Sequence, residues 1–174
     1  MATGFNDNAK PKAKVEYFKI YINTGTSAEP SYELQGKGVS SWTVEQNQDI
    51  NKEPDVLGLV EMDRSAAQPT QSGVEIKIRK DLAFSKMLYD AFKTGDMSKL
   101  DSVDILQKFE FDNSDTTGHC NARRDTSALI AINSFNGEAG GYLTVDIDIH
   151  YSNNWTQGHM AITDPTPVVF TPDT

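Results

Sequence analysis

Cysteine is almost absent from this chain of 174 residues, in which Cys120 is the only one. A single thiol cannot form an internal disulfide, and it cannot supply the four thiolates of a structural zinc site. The composition therefore argues against a disulfide-stapled secreted scaffold. A reducing cytoplasm is the simplest place of synthesis.

Long apolar runs are also missing. No stretch approaches the roughly 18 apolar residues that a membrane-spanning helix needs. The first 17 residues contain no apolar segment of the kind found in a secretory signal. We therefore expect neither signal-directed secretion nor insertion into a membrane.

Basic residues are scarce relative to acidic ones. The chain has 16 lysines and arginines against 25 aspartates and glutamates, which gives a formal net charge of −9. The summed field of such a chain repels polyanions, so a static complex held by phosphate contacts is disfavoured. Nucleic acid could still pass close to the protein without adhering to it.

Known catalytic signatures do not occur. The sequence has no GxSxG elbow, Walker loop, HExxH motif or CxxC pair. His119 and Cys120 are adjacent, but neighbours on a strand point to opposite faces, so a turn histidine and a packed thiol are favoured over a nucleophile with its base. We expect no enzymatic activity, no cofactor and no metal.

The residues that are present suffice for one folded domain over 14–161. A polar, flexible arm over 1–13 precedes it. An extended arm over 162–174 follows it, because prolines at 165, 167 and 172 exclude a central strand but permit an edge.

Period-two alternation predicts that the domain is mainly β. Gly58 interrupts one predicted strand, as a bulge would. A polar loop over 64–73 and a turn over 112–118 separate strands, and the turn closes a long hairpin. The predicted strands cover 15–22, 39–50, 55–62, 74–80, 103–111, 121–132 and 142–151.

One amphipathic helix is predicted over about 81–93. Asp81 is placed to act as its N-cap and Gly95 to end it. The spacing of three and four residues makes one apolar stripe, which we expect to cover a sheet. The stripe consists of Phe84, Met87, Leu88, Ala91 and Phe92.

Asp146, Asp148 and His150 share one face of a strand and resemble a set of metal ligands. Alternate residues of a strand lie about 7 Å apart, so three of them cannot reach one small ion without help from another element. No second cluster is identifiable to give that help. A solvated strand face is the favoured interpretation.

Two further pairs of residues, two arginines and two tryptophans, are candidates for binding. Arg123 and Arg124 lack the glycine-rich loop of a phosphate site, so pairing with acidic neighbours is favoured. Trp42 alternates in phase with Val44 and is expected in the core. Trp155 lies in a polar stretch and is the better candidate for an interface or a sugar-binding platform.

The order of these elements resembles the major tail tube proteins of long-tailed bacteriophages. The likeness is one of pattern and length over roughly 14–151 rather than of a diagnostic motif. It rests on a strand at Gly38-Val39-Ser40-Ser41-Trp42-Thr43-Val44-Glu45, a strand pair around Pro54-Asp55-Val56-Leu57-Gly58, a polar loop, the helix, a hairpin and closing strands.

The resemblance implies a β-sandwich or split barrel with one flanking α-helix. It also implies hexameric rings of this chain that stack into a hollow tube in a virion tail, made in the bacterial host cytoplasm. The implied partners are further copies, a tape measure protein and the tail initiator and terminator proteins, with DNA passing through the lumen without specific binding and no contact with a membrane.

Specific residues acquire expected roles through this resemblance. The acidic side chains expected to face the lumen are Glu45, Asp49, Asp146 and Asp148, and the alternative for them is a solubilising position on the outer surface. The loop expected to contact the stacked ring contains Arg64, Gln68, Pro69 and Gln71. Both termini are expected to join these contacts.

Two other functions stay open. The chain could be the tube subunit of a contractile tail or a secretion system, which sheath binding would reveal. It could also be a small β-sandwich carbohydrate-binding module with Trp155 and exposed tyrosines as its platform, which glycan binding by a stable monomer would favour.

Overall fold

The computed structural model describes residues 4–5, 15–36, 39, 42–54, 56–137 and 139–173. Within these ranges the chain is mainly β with one α-helix, α1 (Ala83–Thr94), as the sequence predicts, and no helix there is long and apolar enough to cross a membrane. The strands are β1 (Gly4–Phe5), β2 (Phe18–Asn23), β3 (Tyr32–Gln35), β4 (Thr43–Glu45), β5 (Ile50–Pro54), β6 (Val60–Arg64), β7 (Thr70–Lys77), β8 (Val103–Asn113), β9 (His119–Asn136), β10 (Thr144–His150), β11 (Thr156–Ala161) and β12 (Thr171–Pro172).

A large antiparallel sheet runs in the order β3-β2-β8-β9-β10-β7-β4, with β1 beside β8 and with β11 and β12 beside β9. The 18-residue strand β9 joins two halves of this sheet. Its first part pairs with β8 and β11, and its second part pairs with β10. The predicted β8–β9 hairpin is confirmed.

The main core is built from both halves of the sheet and from α1. On β10 the apolar members of the alternation, Val145, Ile147 and Ile149, are fully buried and pack in one cluster with Ile22 of β2 and Leu88 of α1. Each such aliphatic side chain stabilises the fold by roughly 1.5–3 kcal/mol relative to an exposed position. Alternate residues of β10 therefore point away from this core.

A second, smaller core lies on the opposite face of β2 and β8. Tyr21, Leu106 and Met160 are buried there, and Val168 and Phe170 of the C-terminal segment pack against them. The described residues of the segment predicted as an extended arm over 162–174 contain bends and the short strand β12, and Val168 and Phe170 pack on the second core.

The start of α1 corrects one prediction. Asp81 is not the N-cap: the cap position is Leu82, whose side chain makes no capping bond, and Asp81 pairs with Arg79 instead. The Glu33 carboxylate of β3 accepts bonds from the N–H groups of Ala83 at 2.7 Å and Phe84 at 3.4 Å. Sequence-local capping rules cannot find a cap that comes from a distant strand. The predicted stop at Gly95 is confirmed, with φ +72°.

Glu33→Ala is expected to lower the free energy of unfolding by about 1 kcal/mol, because it leaves two amides at a helix start without their acceptor. Asp81→Ala is expected to cost less, since an exposed ion pair contributes little. Urea denaturation of both variants measures the two costs. A larger cost for Asp81→Ala would show that Asp81, and not Glu33, caps the helix.

Two predicted strands are misplaced. The predicted strand 39–50 contains an isolated bridge at Val39, the short strand β4, a polar loop in which Asn47 takes a φ of +46°, and the first residue of β5. The predicted strand 55–62 is instead a hairpin of β5 and β6, and Gly58, with φ +77°, lies in its turn rather than in a bulge. In the first strand the alternation continues past β4 and conceals the loop. In the second, the interruption at Gly58 is compatible with a bulge as well as with a turn.

The predicted polar loop 64–73 is also only partly correct. Pro69 is buried, and β7 begins at Thr70. Gln71 is fully buried because its amide has partners: its oxygen accepts a bond from the Tyr151 hydroxyl at 3.0 Å, and its nitrogen donates to Gln35 at 3.2 Å. A polar residue whose hydrogen bonds are satisfied can occupy a core, which polarity alone does not predict.

Both ends of the chain add strands that alternation missed. Gly4–Phe5 pair with Asn113 and Asp112 of β8, and the rest of the predicted arm 1–13 lies outside the described residues. Near the other end, β11 pairs with β9 although it has little apolar character, and β12 pairs with β11 as an edge.

Gly158 of β11 holds the C-terminal segment in place by its lack of a side chain. A Cβ there would lie 2.3 Å from the Thr171 carbonyl oxygen and 2.6 Å from Cζ of Phe170. Gly158→Ala is therefore expected to push this segment off the sheet and to cost about 1–3 kcal/mol. Limited proteolysis should then cut near the C-terminus faster than in the wild type or in Gly36→Ala, where a Cβ meets open space. Equal rates of cleavage would contradict this packing.

Candidate functional site

The outer face of the second half of the sheet carries a group of carboxylates. Because Val145, Ile147 and Ile149 point into the core, Asp146 and Asp148 point away from it. Asp146 lies opposite Glu75 of β7, and Glu45 of β4 lies opposite Thr70. We call the outer face defined by Glu45, Glu75, Asp146 and Asp148 the acidic face.

Hydrogen bonds fix two of these carboxylates. Asp146 accepts bonds of 2.7 Å from both Ser134 and Asn136 of β9. Asp148 accepts a 3.1 Å bond from the N–H of Gly73, where a register shift between β10 and β7 and a φ of +65° mark a bulge. The Asp148 carboxylate thus serves as the hydrogen-bond acceptor of the Gly73 amide at the bulge.

The remaining two carboxylates are exposed to solvent. Glu45 and Glu75 both have exposed side chains, and Lys77 and His150 lie on the same face. With four carboxylates against one lysine, the potential of this face is negative and repels phosphate groups. This face is therefore expected to be hydrated and to bind anions weakly.

Three of the four acids predicted to line a lumen therefore share one face: Glu45, Asp146 and Asp148. Asp49 lies apart, in the loop before β5, where its backbone bonds with Ser65. Glu75 lies on the same face but is not among the acids predicted to face the lumen. Its alternation with the buried residues Val74 and Ile76 is the sequence signal that could have identified it.

The trio Asp146, Asp148 and His150 does lie on one strand face. Its members have separate protein partners, and His150 Nδ1 lies 3.3 Å from the Thr70 hydroxyl. In the described part of the chain, no group of three or more His, Cys, Asp or Glu side chains is placed to hold a metal ion. The arrangement is that of a hydrogen-bonded polar surface.

The predicted stacking residues are divided between surface and interior. Arg64 and Gln68 are exposed, whereas Pro69 and Gln71 are buried. The element that projects at this place is the hairpin β5–β6, where every residue whose burial is described is exposed.

The two neighbouring arginines behave differently. Arg124 forms the expected ion pair, at 2.6 Å from Asp104. Arg123 has other partners among the described residues: its guanidinium carbon lies 3.9 Å from the centre of the Trp155 ring, and its Nε donates to Gln107 at 2.7 Å. Burial lowers the pKa of Arg123 from its ordinary value.

The two tryptophans and the cysteine pack within the fold. Trp42 packs on the main core as predicted, and Trp155 also packs there with Arg123 and Tyr151 against its ring, which leaves a poor platform for a sugar. Cys120 is the packed thiol that was expected, and burial raises its pKa to about 11. His119 begins β9 rather than lying in the turn.

No family model and no curated protein matches this sequence. Solved structures of similar fold do exist. One is the PVC sheath/tube terminator of an extracellular contractile injection system in its extended state, at 10% identity over 85% of this chain and 97% of that chain, with a TM-score of 0.50. Another is a chain of the PVC sheath–tube complex in the extended state, at 11% identity over 87% and 93%, with a TM-score of 0.50.

A third, from the anti-feeding prophage baseplate, has 7% identity over 89% and 99%, with a TM-score of 0.49. At these identities the first two likenesses establish the fold alone. That fold occurs in structures of an extracellular contractile injection system, whereas the sequence resemblance is to the tubes of long-tailed phages.

Proposed function

We propose that this chain is a structural subunit that assembles with copies of itself into the hollow tube of a phage-tail-like particle. Hexameric rings stack to form the tube, and DNA passes through the lumen on its way to the host. The fold shared with contractile injection system components supports this proposal, as does the resemblance to tail tube proteins.

The observation that carries the proposal is the acidic face. A sheet half whose inner side packs on the main core and whose outer side carries four carboxylates fits a wall between a protein core and a water-filled channel. Repeated around a ring, the carboxylates of Glu45, Glu75, Asp146 and Asp148 give a negative lining. Such a lining repels phosphates and lets DNA slide without adhesion.

The edges of the sheet fit the same proposal. β4 and β3 end the strand order in the described part of the chain, so each can accept a strand from a neighbouring copy. Pairing of such edges within a ring would close the sheets of all copies into one barrel and would remove edges that otherwise promote aggregation.

A contractile particle is the version that we favour, because both structures of TM-score 0.50 come from a contractile injection system. The other proposed partners are a tape measure protein and tail initiator and terminator proteins. Co-sedimentation with a sheath protein separates a contractile from a non-contractile tube.

Negative-stain electron microscopy of the purified protein over a concentration series, paired with light scattering, tests the proposal. Rings or hollow tubes and a mass that rises with concentration are expected. A stable monomer that binds glycans would refute the proposal and favour the carbohydrate-binding alternative.

A further inference from the structure

The hairpin β5–β6 stands apart from the rest of the molecule. It is a separate two-stranded sheet, and such a sheet is only marginally stable in water by itself. Its turn nevertheless presents Val56, Leu57 and Leu59, which are 102%, 81% and 64% exposed. Clustered exposed apolar side chains of this kind mark a contact surface.

The charge around this apolar turn is negative. Residues 49–64 contain five acidic residues and two basic ones. Glu53 and Asp63, on the two strands, are exposed. A partner for the hairpin must therefore offer an apolar recess with basic groups at its rim.

The same chain contains a recess of that description. A shallow cleft of about 390 Å³ is lined by Lys77, Ile78, Arg79, Asp81 and Tyr142. Tyr142 is 75% exposed, and Lys77 Nζ lies 5.6 Å from the centre of its ring. Residues 77–81 contain three basic residues and one acidic one, so the rim is positive.

The hairpin and the cleft lie at opposite ends of β7. The hairpin leaves and re-enters the sheet beside Thr70, where Glu45 pairs with Thr70 and the Gln68 N–H donates to the Gln46 carbonyl. The cleft begins at Lys77, the last residue of the strand. Eight residues of strand separate the two by roughly 25 Å. The exposed hairpin does not fold back onto the cleft of its own chain.

We propose that the hairpin turn of one copy docks in the cleft of the next copy, with Leu57 against Tyr142 and with acidic residues of the hairpin beside Lys77 and Lys80. Donor and acceptor are different surfaces, so the contact is heterologous and repeats without limit in one direction. This inference rests on the proposed function, for which it supplies the contact between successive rings.

Chemical crosslinking tests the contact. Leu57→Cys and Tyr142→Cys are made as separate variants and mixed with a bismaleimide crosslinker. Cys120 is fully buried and its thiol pKa is raised, so it does not compete. As a control, Leu57→Cys is mixed with Val169→Cys, another exposed position. All three substitutions lie at exposed side chains, and circular dichroism checks that each variant is folded.

At least a tenfold excess of the Leu57–Tyr142 dimer over the control dimer is expected. Equal yields would overturn the docking. Adding Lys77→Glu and Lys80→Glu to the Tyr142→Cys variant should remove the excess, and adding Glu53→Lys and Asp63→Lys to the Leu57→Cys variant should restore it.

The outcomes separate this inference from the proposed function. Tubes without the crosslink would leave the tube subunit standing and refute the docking. Crosslinked open chains without rings or tubes would support the docking and refute the tube. Neither assembly nor crosslink would refute both.

Discussion

Asp164→Asn is expected to lower the free energy of unfolding by about 2–3 kcal/mol, because it removes a carboxylate from a buried ammonium group. The Lys108 side chain is fully buried and lies 2.7 Å from Asp164 and 2.9 Å from Glu110. Asp164 also accepts bonds from Lys19 and from the Tyr21 hydroxyl. The magnitude is set below that of a fully buried pair because the Asp164 side chain is 42% exposed.

The pH dependence of this effect has a definite sign. Burial alone would raise the pKa of Asp164, but hydrogen bonds from Lys108, Lys19 and Tyr21 hold it well below its ordinary value of 3.8. A carboxyl whose pKa is depressed on folding stabilises the native state above its unfolded pKa, and that contribution is lost as the pH falls. The difference between the wild type and Asp164→Asn should be complete at pH 6 and should shrink below about pH 4.

Urea denaturation at pH 6 and pH 3 measures both effects. Asp173→Asn, an exposed carboxylate on the same segment, is the matched control and should cost less than about 0.5 kcal/mol. Lys108→Met in the Asp164→Asn background should recover part of the loss, since it removes a buried ammonium that Glu110 alone then balances. A loss that does not depend on pH would contradict the ion-pair account.

In the proposed tube, Glu45→Lys combined with Glu75→Lys is expected to create strong binding of DNA where the wild type is expected to show little. Each reversal changes the net charge of the acidic face by +2, and every copy in the proposed ring repeats the change. The affinity for DNA depends steeply on the number of phosphates neutralised, so binding should tighten by at least about 100-fold at 50 mM salt.

Fluorescence anisotropy with a labelled duplex short enough to enter the tube measures this change. Asp90→Lys with Asp101→Lys makes the same change in net charge at exposed residues on and after α1, away from the acidic face. If the double variant on the helix side binds DNA as tightly as the variant on the acidic face, the face has no special relation to the channel.

Local pattern was sufficient for much of the fold. The alternation of Val145, Ile147 and Ile149 predicts β10 and its buried face, and Gly95 predicts the end of α1. The alternation on β10 also places Asp146 and Asp148 on the outer face of the sheet. These features depend on neighbours in the sequence and on a fixed period.

Features that depend on distant partners could not be predicted in this way. Glu33 caps α1 from β3, and Gln71 is buried because Tyr151 and Gln35 satisfy its amide. Lys108 is buried because Asp164, far along the chain, reaches it. The sequence predicts an interruption at Gly58 but not the reversal of the chain, because a glycine that interrupts a strand is compatible with a bulge as well as with a turn.

A cryo-electron microscopy reconstruction of the assembled protein tests the central claim most directly. The account predicts a hollow ring or tube in which Glu45, Glu75, Asp146 and Asp148 face the channel and α1 lies away from it. An assembly with the acidic face on its outer surface, or a protein that stays monomeric at every concentration, would contradict it.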